Sequence, residues 1–182
     1  MKNNYSTILI AAALIITTAV LRIFSAEMFI PNVTPVAAVG LFGGAVIVDK
    51  RLAYILPLLA MFIADVYFTL FTSVKGFYGF EQTIVYAAMA LVTFIGTKMG
   101  KVNGAKVIGY SLVASFLFFV VSNFGYFLAG WNDYSFAGLT KTYVDAIPFY
   151  KNSVITDLVG SVALFGLYFA GKKAFAPQTQ NA

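Results

Sequence analysis

Eight residues carry the polar chemistry in an otherwise apolar chain: Arg22, Asn32, Asp65, Gln82, Tyr86, Asn123, Tyr126 and Asp157. A charge or amide inside a bilayer is costly, so it marks a site or a buried polar network. Two carboxylates, three amides and two phenols suit hydrogen bonding to a small polar solute. They also suit a cation through the acids, or an anion through Arg22 and Lys75, and both remain open. Each carboxylate has a structural reading beside the functional one. Asp65 can pair with Arg22, and Asp157 can cap the helix it opens. Asn123 can hydrogen-bond a neighbouring helix instead of a ligand.

Other chemistries are excluded by residue type. The chain has no cysteine and no histidine, so it offers no disulfide, zinc, haem or Cys/His nucleophile. A serine protease of rhomboid type lacks its histidine. An intramembrane aspartyl dyad of Asp65 and Asp157 lacks the Gly-x-Gly-Asp pattern, because Asp65 follows Phe62, Ile63 and Ala64. No Walker or Gly-x-Gly-x-x-Gly loop is present. The expectation is a protein that is not an enzyme and needs no cofactor or metal.

The elements that position these residues are read from hydropathy. The chain is 60% hydrophobic and 10% charged, which places it among membrane proteins. Six spans are expected, at about 6–24, 35–48, 52–72, 81–97, 107–128 and 153–170. They form one all-α transmembrane domain over residues 1–182, a single compact bundle. The run from Ile8 to Leu21 resembles a signal peptide, but Phe24 and Arg22 spoil the approach to Ser25-Ala26. A retained first helix is expected.

Span two is short, about 21 Å at 1.5 Å per residue, so it must begin below the surface or among protein. Thr34 is the expected cap and Pro35 the first helical residue. Gly40 and Gly44 share a face with Ala37, allowing another helix close approach. In the longest connection, Ala129 to Asn152, a short interfacial helix over Phe136–Ala146 is expected to stop at Pro148. That connection and Ser25–Val33 carry aromatics fit for a lid, or for anchoring at the headgroups.

Of the 12 basic residues, Lys2, Lys50, Arg51, Lys98, Lys101, Lys106, Lys172 and Lys173 fall on one side. Arg22, Lys75, Lys141 and Lys151 fall on the other, which puts both termini in the cytoplasm. The net charge of +5 is therefore a topology signal, and no nucleic-acid partner is expected. With that orientation Asp65, Gln82, Asn123 and Asp157 share the outer depth. Polar stripes lead there: Met61, Asp65 and Thr69 in span three, Gln82 and Tyr86 in span four, and Ser111, Ser115, Ser122 and Tyr126 in span five. Such stripes face the bundle interior, because lipid offers no hydrogen-bond partner.

The layout resembles the S-components of energy-coupling-factor transporters, six-helix membrane proteins with both termini inside. The segment Ala146-Ile-Pro-Phe-Tyr-Lys-Asn-Ser-Val-Ile-Thr-Asp157 is similar to the Leu-Pro-Phe…Asp stretch before the last helix of their biotin-capturing branch. The segment Asn32-Val-Thr-Pro-Val-Ala-Ala38 resembles an uncharacterised six-helix bacterial membrane family with an Asn-x-Thr-Pro-Val-Ala-Ala motif. The first resemblance implies a substrate-capture subunit in the bacterial inner membrane. It also implies a small-molecule substrate, lipid around the bundle, and a transmembrane coupling subunit with ATPase subunits. Span one lacks the family's Ala-x-x-x-Ala docking motif and offers Ala13 and Thr17 instead. The alternative function is a scaffold or assembly protein whose polar residues are structural.

Overall fold

The computed structural model describes residues 5–27 and 34–174, and every element among them is helical. In order they are α1 (Tyr5–Glu27), α2 (Val36–Val46), α3 (Lys50–Phe71), α4 (Gly79–Thr97), α5 (Gly104–Leu128) and α6 (Phe136–Ala174). α3, α4, α5 and α6 are each long and apolar enough to cross a membrane. The chain is thus an all-α protein of membrane type. Its outward faces agree, with Leu70, Phe71, Phe116, Val159 and Leu167 among many large apolar side chains left exposed. Lipid around the helices makes such a surface favourable.

Local signals set two of the helix starts. Asp49 accepts from the amides of Arg51 at 2.8 Å and Leu52 at 3.3 Å, which starts α3. Asn103 accepts from the Lys106 amide at 2.9 Å and starts α5. Both satisfy amides that the first helical turn leaves without partners.

α2 is the exception and the centre of the fold. It has 11 residues, nearly all buried, and packs against the five other helices. It therefore begins inside the bundle, as its length requires. Thr34 does not cap it; Pro35 is the N-cap residue and contributes no side-chain bond. α2 crosses α4 where Gly44 faces Gly96. A Cβ on Gly44 would stand 2.0 Å from the Thr93 carbonyl oxygen, and one on Gly96 would stand 2.4 Å from that of Leu41. Only glycine permits this backbone approach.

The second departure from expectation is α6. Pro148 does not end a short helix; one helix of 39 residues runs through it. An internal proline removes one backbone bond and costs about 3 kcal/mol in an isolated helix. Here packing holds the helix on both sides. Tyr143 donates to the Val120 carbonyl at 2.8 Å, and the Tyr150 ring lies 4.3 Å from that of Phe119. At 1.5 Å per residue α6 is about 58 Å long, well beyond a bilayer core of about 30 Å. Its first half therefore stands over one end of the bundle as a fixed wall rather than a loop.

Candidate functional site

At that end of the bundle lies one large cavity of about 840 Å³. Arg22 of α1, Met61 of α3, Ser115 and Asn123 of α5, and Asp157 of α6 reach its wall. Val36, at the start of α2, lines it as well, so the buried N-terminus of the central helix opens into the cavity.

Asp157 is tied to that helix start. Its Oδ1 accepts from the Ala37 amide at 3.0 Å and the Ala38 amide at 3.2 Å. The expectation that Asp157 opens its own helix is overturned, because α6 begins 21 residues earlier at Phe136. It caps a different helix across the bundle and meets the positive end of that dipole. Its backbone is held too: Ser111 Oγ donates to the Asp157 carbonyl at 3.1 Å, and Ser161 Oγ donates to Ser111 Oγ at 3.0 Å. Ser115 lies beside the carboxylate, 2% exposed, where its hydroxyl interacts with Asp157 without closing a well-formed hydrogen bond.

Asp65, Gln82 and Tyr86 do not line the cavity; they form a network behind its wall. Asp65 is 1% exposed. Its Oδ2 accepts from Gln82 Nε2 at 2.9 Å and from Tyr86 Oη at 2.7 Å. Its Oδ1 faces Arg22 Nη2 at 2.8 Å in ion-pair rather than hydrogen-bond geometry. Gln82 also donates to the Gly76 carbonyl and accepts from the Tyr78 amide, both at 2.9 Å. That pins the α3–α4 connection down onto α3. Arg22 completes the clamp, with Nη1 directed to the Met61 carbonyl at 3.4 Å and the guanidinium 5.4 Å from the Phe68 ring centre. Of the four side chains Arg22, Asp65, Gln82 and Tyr86, Arg22 alone lines the cavity. The structural alternative for Asp65, an ion pair with Arg22, is the arrangement present.

Asn123 and Tyr126 both line the cavity. Asn123 Nδ2 donates to the Phe119 carbonyl of its own helix at 2.8 Å, not to a neighbouring helix. Its oxygen is free to turn toward a ligand. Tyr126 stacks on Tyr78 at 6.3 Å and meets Trp131 edge-on at 5.7 Å. Burial pushes the Tyr78 hydroxyl well above its ordinary pKa, and the neighbouring Tyr126 adds to the effect. Tyr78 therefore stays a neutral donor. Trp131 is steadied by donation from Nε1 to Glu81 Oε1 at 3.2 Å. Asn32 lies outside the described residues. Lys75 is exposed and does not reach the cavity.

Some wall residues were missed in the sequence, whereas Phe149 and Tyr150 belong to the aromatics expected over the site. Lys141, Asp145 and Phe149 sit four residues apart on α6 and face the cavity, as do Thr142, Ala146 and Tyr150. The same helical spacing reaches Ser153 and Asp157. This continuous stripe was legible, but reading Pro148 as a stop cut it in two. Lys141 pairs with Asp145 one turn on, and Thr142 accepts from Asn132 Nδ2 at 2.9 Å. The Ser115–Ser122 stripe of α5 was seen as a pattern and is confirmed as part of the wall. The cavity as a whole offers hydrogen-bonding groups at its floor and aromatic rings around them, and no candidate metal cluster occurs among the described residues.

No curated protein and no solved structure matches the chain. A family model does match, over residues 2–179, and on that coverage the chain belongs to the family of unknown function DUF6580.

Proposed function

We propose that this chain is a small-solute-binding membrane protein, the substrate-capture part of an uptake transporter of the energy-coupling-factor type. The observation that carries the reading is the cavity of about 840 Å³, within the range of small-molecule sites. Its walls come from separate helices, and Ser115 and Asp157 stand at its floor nearly excluded from solvent. A buried carboxylate without a counter-charge is costly unless something else neutralises it.

In this reading all six helices sit in the bacterial inner membrane with both termini cytoplasmic. α1, α3 and α5 end, and α2 and α4 begin, at the cavity end. The lysine-rich ends of α3, α4 and α6 lie opposite, which makes the cavity face outward. The protein is not an enzyme; energy comes from partner subunits. Thr17 Oγ1 is folded back onto the Ala13 carbonyl at 2.8 Å, which leaves a low-relief strip on α1 for a coupling subunit. A second reading, a scaffold with structural polar residues, draws on the self-satisfied Asp65 network.

Mass spectrometry of small molecules released from the purified protein tests the proposal. One compound recovered in near-stoichiometric amount, and lost from a variant with Ser115→Leu blocking the floor, supports solute capture. An empty protein that also shows no thermal stabilisation across a broad metabolite panel favours the scaffold.

A further inference from the structure

We infer that the solute held by this cavity is an organic cation, a protonated amine or amidine on an aromatic or other flat body. The inference rests on the solute-binding reading and adds the ligand's chemistry. The charges near the cavity pair off. Arg22 is matched by Asp65 at 2.8 Å, and Lys141 by Asp145 on the next turn of α6. Asp157 has no cationic side chain as partner among the described residues; its Oδ1 accepts from two amides, and the hydrogen-bonding side chain beside it is the neutral Ser115 hydroxyl. Ser115 Oγ is buried and closes no well-formed hydrogen bond, so it can turn to a ligand held by the carboxylate.

Water can solvate that carboxylate while the cavity is empty. A ligand must displace the water, and a neutral apolar body would then strand a buried charge, at a cost of several kcal/mol. An anion would strand it and repel it as well. An ammonium donates to Asp157 and to Ser115 at once and cancels the charge. The rings point the same way. Phe119 and Tyr150 pack 4.3 Å apart on one wall, with Tyr126 and Trp131 on another. Their electron-rich faces attract a cation and stack on a flat body.

The chain's single tryptophan, Trp131, lines the cavity and reports on its filling. The probes are phenethylamine, 2-phenylethanol and phenylacetate, nearly equal in shape and differing in charge. Titration of Trp131 fluorescence in nanodiscs should give a saturable response to the amine. Its affinity should exceed the alcohol's by at least about tenfold, the equivalent of 1.4 kcal/mol for a charge-assisted bond over a neutral one. Phenylacetate should give none. Asp157→Asn keeps an acceptor for the two α2 amides, so it should fold with a near-native melting temperature and bind amine and alcohol alike. Ser115→Ala should weaken the amine more than the alcohol.

If phenylacetate binds as well as the amine, or Asp157→Asn keeps the preference for amine, the cation assignment is overturned while solute binding stands. If none of the three saturates, the cation assignment also falls. Solute binding is then judged by co-purification alone.

Discussion

Asp65→Asn puts the clamp behind the cavity under a defined load. The carboxylate is 1% exposed and Arg22 about 20%, so the substitution leaves a guanidinium largely buried without its counter-charge. The asparagine carbonyl still accepts from Gln82 or Tyr86, but its amide then points at Arg22, donor against donor. Breaking a buried pair from one side costs about 3–5 kcal/mol, and the residual exposure of Arg22 sets this case near 3. For 182 residues, at about 2–4 °C per kcal/mol, the melting temperature should fall by about 6–12 °C. Arg22→Gln should cost at least as much, because it strands the more deeply buried partner. The double variant removes both charges and should recover at least half of the larger loss. With both single losses near 3 kcal/mol, that corresponds to a coupling of about 4.5 kcal/mol or more, within the range of about 1.5–7 kcal/mol for close charge pairs. Thermal unfolding of the four proteins, followed by Trp131 fluorescence, measures the cycle. Additivity within about 0.5 kcal/mol would refute the clamp, whatever the single losses.

The central crossing gives a second test: Gly44→Ala forces a methyl against the Thr93 carbonyl and should cost about 3 kcal/mol or abolish folding, read by monodispersity and melting temperature. At the other end of α2, Asp157→Ala removes both cap bonds and should destabilise by about 1–2 kcal/mol, while Asp157→Asn should cost under about half of that in the same melt. Orientation is checked by accessible-cysteine labelling in intact cells, which the cysteine-free chain permits. Ser73→Cys and Tyr134→Cys, both exposed at the cavity end, should label from outside, and Lys101→Cys should not. The reverse pattern would put the cavity in the cytoplasm. Gly76 is unsuitable for this purpose, since a Cβ there would stand 1.7 Å from the Asp65 carbonyl oxygen.

Membrane class, helix number and the approximate places of the helices follow from composition and local pattern. Asp49 and Asn103 cap the helices that follow them, and long apolar runs need no tertiary information to be recognised. The shortness of span two also carried a true inference, because 11 helical residues cannot cross a bilayer alone and must be enclosed. The site was half legible. Polarity within or beside the apolar spans picked out Arg22, Asn123, Tyr126 and Asp157, which do line the cavity. It could not separate them from Asp65, Gln82 and Tyr86, which have the same polarity and depth but face one another.

What the sequence by itself determined was the cost: each polar group within an apolar span had to find a partner or a ligand. Which of the two it found depended on atoms far away in the chain. The Asp65 oxygens are filled by groups 17 and 21 residues on and by Arg22, so that carboxylate is structural. Asp157 bonds amides 120 and 119 residues before it and has no cationic side chain as partner among the described residues. Pro148 shows the same division of labour. Locally it is a helix breaker, but the contacts of Tyr143 and Tyr150 with α5 lie on both sides of it and offset one lost backbone bond. Local propensity is worth about 3 kcal/mol at such a position, and packing against a neighbouring helix supplies that much, so only the tertiary structure decided that the wall of the cavity is one rigid helix.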